Sequence, residues 1–152
     1  MAELQTVYTD IIAAGFPGMV ANGETSNRIT RTIEGAAGIG FGKAAFRGTG
    51  DHGCVVTVGT AATFLGPVIA STVQGFIAGQ TADTYAQYEN VPIMTQGAIW
   101  VLTGDAVTDG AQVYVDAATG EWTDTSTDNI LATDWIFDTT GAADTLVKIV
   151  KR

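Results

Sequence analysis

The chain has 152 residues, a formal net charge of −9 and a single cysteine. It therefore has no internal disulfide, it is long enough to bury a core without staples, and it lacks the basic footprint of a general nucleic-acid binder. The sign is also uneven. No Lys or Arg lies between Gly48 and Val147, where most of the acidic residues fall, so the basic residues form two short segments, Arg28 to Arg47 and Lys148 to Arg152.

The N-terminus, MAELQTVYTD, is acidic and lacks the basic start of a signal peptide. Between Ala2 and Ala14, Leu4, Val7, Tyr8 and Ile11 outline a helical face, which Thr6, Thr9 and Ile12 weaken. Gly15-Phe-Pro-Gly18 breaks any regular element, and Met19-Val-Ala21 leads into an Asn22-Gly23 turn. This segment reads as an extended arm. Arg28 to Ile33 sets Ile29, Arg31 and Ile33 against Arg28, Thr30 and Thr32, as a strand would.

Gly35 to Gly50 is dense in glycine, with Ile39 and Phe41 alternating with Gly38, Gly40 and Gly42. Glycine along one side of a strand lets a second backbone lie close. The run imitates a phosphate-binding loop and fails as one. Ala37 replaces its first glycine, Ala44 replaces the Ser or Thr that would hold magnesium, and no helix follows. Lys43 occupies the third glycine of a dinucleotide fingerprint. Cys54 to Val58 and Phe64 to Ala70 read as buried strands, with Pro67 marking an edge, a strand start or a bulge. Gly53 to Ala82 is uncharged, but Pro67, Gln74 and Gln80 interrupt it well short of the ~20 apolar residues of a membrane-spanning helix.

Met94 to Thr123 carries the clearest pattern. Ala98, Trp100 and Leu102 share one strand face, and Ile99 and Val101 the other, which predicts a strand covered on both sides. Asp109-Gly110 marks a turn, Val113 and Val115 a half-buried strand, and Ala118-Thr-Gly120 a short hairpin loop. A polar loop from Asp124 to Asn129 precedes strands at 134–137 and 145–150. Many short strands parted by glycine turns predict an all-β fold, a small antiparallel barrel or sandwich. The expected organisation is one domain over 1–152, with an N-terminal arm over 1–34 and the barrel or sandwich over 35–152.

Candidate chemistry is thin. His52 and Cys54 are two residues apart, a spacing that puts both on one strand face, yet no third group orients them. Cys54 opens an apolar strand and reads as a structural thiol. A zinc site needs about four ligands, mostly Cys and His, and the chain has one of each. Asp124, Ser126 and Asp128 begin like a calcium loop, but Asn129 and Trp135 stand where Gly and Glu belong. Ser26, Ser71 and Ser126 lack a nucleophile-elbow setting. No catalytic residue, metal site or cofactor is expected.

Taken in order, several stretches resemble the structural cement, or decoration, proteins of tailed bacteriophages. They are Gly15-Phe-Pro-Gly-Met-Val-Ala21; Ser26-Asn-Arg-Ile29 to Glu34-Gly35 with Ile39-Gly-Phe-Gly-Lys-Ala44; and Phe64-Leu-Gly-Pro-Val-Ile69 with Tyr85 and Tyr88. Gly97-Ala-Ile-Trp-Val101, Val107-Thr-Asp-Gly110, Val113-Tyr-Val115 and Leu146 to Val150 complete the set. The resemblance implies a non-enzymatic virion protein on the outer surface of the head, made in the bacterial host cytoplasm. It further implies a homotrimer that clamps adjacent major capsid protein subunits, with no nucleic-acid or membrane partner. The implied contact residues are Phe16, Pro17, Met19 and Val20 in the arm, with Arg28 and Arg31 beside it facing an acidic shell. A reading from another class is a tail- or fibre-associated β domain that binds host surface glycans, with Trp122 and Trp135 as sugar platforms if exposed.

Overall fold

The computed structural model describes residues 15–71 and 81–152. The helix expected between Ala2 and Ala14 lies outside the described residues. Eleven strands are present among the described residues: β1 (Asn27–Ile33), β2 (Ile39–Gly40), β3 (Ala44–Arg47), β4 (Gly53–Val55), β5 (Phe64–Pro67), β6 (Thr84–Tyr85), β7 (Asn90–Leu102), β8 (Gln112–Val115), β9 (Trp122–Thr123), β10 (Ile130–Phe137) and β11 (Leu146–Lys151). Nine form one sheet in the order β5-β3-β4-β1-β7-β11-β10-β8-β9, and β2 pairs with β6 apart from it.

The all-β class is as expected, with two differences of detail. The sheet is mixed, because β1 and β4 run parallel through Thr32–Gly53 and Ile33–Cys54. Parallel neighbours need a long crossover, and the chain from Glu34 to His52, carrying β2 and β3, supplies it. The sheet is also not closed into a barrel. It curls instead, so that its two terminal strands meet through side chains. Phe64 of β5 and Trp122 of β9 stack edge-on, with centroids 6.1 Å apart at 84°. The first core, including Phe46, Met94, Ile99, Val101, Trp122, Trp135 and Phe137, lies inside that curl.

The hub is β7, and one irregularity explains its burial pattern. Arg28 pairs with Met94 and Asn27 with Gln96, so Thr95 is an extra residue and β7 bulges there. A bulge shifts the side-chain alternation by one. Before it, Val91 and Ile93 enter a second core with Ile33, Phe41, Cys54 and Tyr85. After it, the odd-numbered Ile99 and Val101 enter the first core beside Met94. Gly97, at φ +127°, carries the chain through the bend. Beyond it, β7 pairs with β11 from Gly97–Lys151 to Leu102–Leu146.

Asp109-Gly110 forms a turn, and the loop at 117–120 joins β8 to β9 as a hairpin. Asp116 holds that loop by accepting from the Ala118 and Thr119 amides at 2.7 and 2.8 Å. β8 does not pair with β7, however. Its neighbours are β10 and β9.

A carboxylate also organises the turn before β4. Glu34 accepts from the Thr49 amide at 2.8 Å, the Thr49 hydroxyl at 2.9 Å and the Gly50 amide at 2.8 Å. Those bonds favour the ionised form and lower its pKa below the ordinary 4.5, the Thr49 amide first. A lowered folded-state pKa stabilises the fold above the unfolded value and loses that contribution as pH falls through the folded one. Stability is therefore expected to drop below about pH 4.5, and Glu34→Gln is expected to flatten part of that drop in urea titrations between pH 3 and 6. An unchanged pH profile in Glu34→Gln would refute this role.

Candidate functional site

The expected contact residues Phe16, Pro17, Met19 and Val20 lie on a strap that crosses the upper half of β7. The Gly18 amide donates to the Trp100 carbonyl at 2.7 Å, the Trp100 amide to Met19 at 2.9 Å, and the Ala21 amide to Ala98 at 2.9 Å. On its other side the Ala70 amide donates to Gly18 at 2.8 Å. The strap thus continues the edge of β7 where β1 leaves off, with Val20 bridging Ile99. Val20 is half-buried against the first core. A Cβ on Gly15 would lie 3.0 Å from the Trp100 ring and 3.2 Å from the Met19 sulfur, so the start of the strap packs against the Trp100 ring from within the same chain. Leu102, on that same face, is 41% exposed.

The strap residues divide by exposure. Met19 and Val20 are half-buried and anchor it, whereas Phe16 is 46% exposed. Phe16 and Pro17, with Gly40, Phe41 and Asp83, line a small depression of about 200 Å³. Arg28 and Arg31, at the start and middle of β1, belong to the strand next to β7. Arg28 is exposed, and Arg31 is half-buried with its guanidinium donating to the Thr30 carbonyl at 2.9 Å.

The two basic segments differ in how their charges are used. Lys148 pairs with Asp138 at 2.6 Å, Lys151 with Asp134 at 3.4 Å, and Arg152 with Glu24 at 3.0 Å and Asp138 at 3.7 Å. The Arg152 contact holds the Glu24 carboxyl below its ordinary pKa. Lys148 and Arg152 are thus largely spent within the chain, whereas Lys151 pairs only with a carboxylate that is itself 69% exposed. Arg28, Lys43 and Arg47 form no ion pair among the described residues.

One residue carries more than sequence reasoning assigned to it. Tyr88 is 76% exposed and sits at φ +68°, an outlier for a bulky side chain. Its turn is tied to the end of β1. The Tyr88 amide donates to Ile33 at 2.8 Å, the Ile33 amide to Glu89 at 3.0 Å, and the Gln87 side chain to the Glu34 carbonyl at 2.8 Å. The Ala86 amide also donates to the Glu89 carboxylate at 2.7 Å. A braced turn that holds an aromatic ring in solvent is pre-organised for contact.

The remaining candidates separate. His52 sits exposed in the turn before β4, whereas Cys54 is fully buried, so the pair does not share an accessible face. Burial pushes the Cys54 thiol up to about 11, which keeps it protonated and unreactive at neutral pH. Trp122 and Trp135 are each 1% exposed, which removes both as sugar platforms. The Trp122 indole instead donates to the Gly42 carbonyl at 2.7 Å. Asp124 accepts from the Thr108 amide at 3.2 Å, and Asn129 donates to Thr125 at 2.9 Å, the bonding of an ordinary polar loop. Among the described residues, no three His, Cys, Asp or Glu side chains converge as metal ligands.

The site is thus a curled all-β sheet with an apolar strap along β7, an exposed tyrosine and three cations that form no ion pair among the described residues. The chain belongs to the phage structural cement protein family, whose model, described as structural cement protein (E217 gp24/Pam3 gp6), matches residues 4–151. A chain in the solved capsid of Myoviridae phage XM1 has the same fold. The alignment covers 99% of this chain and 97% of that one, with a TM-score of 0.71 at 14% identity. The head fibre gp8.5 N base of bacteriophage phi29 aligns over 84% of this chain and 95% of its own, with a TM-score of 0.47 at 11% identity. No curated protein matches the chain.

Proposed function

We propose that this protein is a non-enzymatic capsid decoration protein that binds the outer surface of the phage head and stabilises contacts between major capsid protein subunits. The observation that carries this reading is the family match over residues 4–151. On this reading the protein is made in the host cytoplasm and acts as a homotrimer on the shell. Residues 1–34 supply the arm, and residues 35–152 the body. Within the arm, Met19 and Val20 hold the strap to its own β7, leaving Phe16 and Arg28 to meet the shell. Pro17 stiffens the link between them by fixing its own φ, and Arg31 adds positive charge behind Arg28. Many copies on one lattice multiply a modest single contact through avidity.

The test adds purified protein to heads that lack it and measures bound copies and resistance to heating. Bound protein with raised heat resistance is expected. Heads that take up no protein, or gain no resistance, would overturn the reading. Exposed aromatic anchors carry a disproportionate share of binding energy. Phe16→Ala and Tyr88→Ala are each expected to weaken head binding about tenfold or more, the scale of a hot-spot truncation, with the unfolding midpoint nearly unchanged.

A further inference from the structure

A cleft opens where the two halves of the sheet part company. It lies beside the β7 bulge and encloses about 260 Å³. Thr95, the extra residue of that bulge, lines it together with Ile29, Phe64 and Leu65 on one side and Thr133 and Trp135 on the other. Two cations stand at the same cleft, Arg47 from the end of β3 and Lys151 from the end of β11. This conjunction is unusual in a chain with seven Lys and Arg and a net charge of −9.

The charges there are available. The Arg47 side chain is exposed and has no ion pair among the described residues. Lys151 donates to the Thr133 carbonyl at 3.3 Å and lies 3.4 Å from Asp134, whose side chain is 69% exposed. A pair so open to solvent is weak and exchanges readily for a better acceptor. Thr95 and Thr133 are the remaining polar residues of the lining. The walls beside them are aromatic and aliphatic. The volume falls below the ~300–1,000 Å³ of pockets that enclose drug-sized ligands. It suits one or two side chains of a partner.

From this geometry we infer that the cleft is a receptor for a carboxylate side chain flanked by an apolar residue, presented by the partner protein. Arg47 offers a planar fork that matches a carboxylate bidentately, and Lys151 adds a compact second charge. Phe64, Leu65 and Ile29 receive the apolar neighbour. The inference rests on the decoration reading for the identity of the partner as the shell, while its chemistry is tested without heads.

The first arm titrates the isotopically labelled protein with hydrocinnamate, a carboxylate on a short chain ending in a phenyl ring. Its neutral amide and inorganic phosphate serve as comparisons. Saturable shifts at Leu65, Thr95 and Thr133 with hydrocinnamate, at least tenfold weaker with the amide or phosphate, are expected. Arg47→Gln with Lys151→Gln should abolish them while leaving the rest of the spectrum in place. No saturable shift, or equal binding of the amide or of phosphate, overturns the inference. The second arm measures head binding of the same double variant. It is expected to fall about tenfold, the scale of one charge-assisted contact, and the wild-type affinity should weaken with added salt. Wild-type and variant binding heads equally would overturn the cleft's role and leave the decoration reading standing. Wild-type protein that fails to bind heads would overturn the decoration reading, and with it the shell as the cleft's partner, whatever the titration shows.

Discussion

Trp122→Ala is expected to lower the unfolding free energy by about 3–5 kcal/mol, the range for emptying a buried aromatic site. For a domain of this size that corresponds to roughly 6–20 °C in the midpoint of thermal unfolding. The reason is positional as well as volumetric. Trp122 sits on β9, one end of the nine-stranded order, and its ring stacks edge-on against Phe64 of β5, the other end. Phe64 in turn stacks on Phe46, with centroids 5.7 Å apart. Removing the indole therefore empties a core site and unlatches the curl of the sheet together. Trp122→Phe separates the two contributions. It keeps most of the ring but leaves the Gly42 carbonyl without its 2.7 Å donor, a loss of about 1–3 kcal/mol. Gly42 also lies under the strap, where a Cβ on Gly18 would come within 2.9 Å of its nitrogen. Faster hydrogen exchange at the Gly18 and Ala21 amides is expected in Trp122→Phe. If the Phe variant loses as much stability as the Ala variant, ring packing across the edges contributes nothing.

The two tryptophans also mark where reading from sequence stops. Composition announces large apolar groups at 122 and 135 but not the direction in which they point, and both turn inward. Local chemistry was legible. The Asp109-Gly110 turn, the 117–120 hairpin loop and the inward Val113 and Val115 follow from residue types within a few positions of one another. Pairing was not. The alternation in β7 predicts a strand with two covered faces, yet alternation is indifferent to the partner. The chain after Leu102 runs past β11, with Thr103 donating to Thr145 and Val107 pairing with Gly141, before β8 begins. The parallel register of β1 and β4 is equally non-local. The Pro-Gly break predicts an extended arm, but not that Val20 is half-buried and Phe16 exposed, nor that Arg28 and Arg31 sit in a strand of the main sheet. Tyr88 and the Arg47–Lys151 cleft were out of reach for one reason. Each depends on residues brought together from distant strands, and no spacing along the chain encodes that.

The bulge at Thr95 is the least legible feature and the one with the sharpest mutational consequence. Gly66 of β5 packs against the backbone just ahead of it. A Cβ at position 66 would fall onto the Met94 carbonyl oxygen, with the Ile93 side chain 3.2 Å away. The obstacle is backbone, which cannot rotate aside. Gly66 also adopts φ +145°, a conformation that L side chains rarely take. Gly66→Ala is therefore expected to cost about 3 kcal/mol or more, since strain and overpacking each contribute about 1–3 kcal/mol. The damage should spread beyond the residue. Just after β5, Val68 bridges Ile93 and the Ile69 amide donates to Pro92 at 2.9 Å, so lifting β5 loosens the seam between both cores. Gly110→Ala is the matched control. Gly110 is also left-handed, at φ +81°, but nothing lies within 4 Å of its would-be Cβ. Its cost should be the conformational part alone, about 1–2 kcal/mol. Urea midpoints of the two variants decide the matter. Equal losses would mean that the approach of β5 to β7 is not tight, and a much larger loss in Gly66→Ala identifies that contact as the closure that keeps the bulged hub in register.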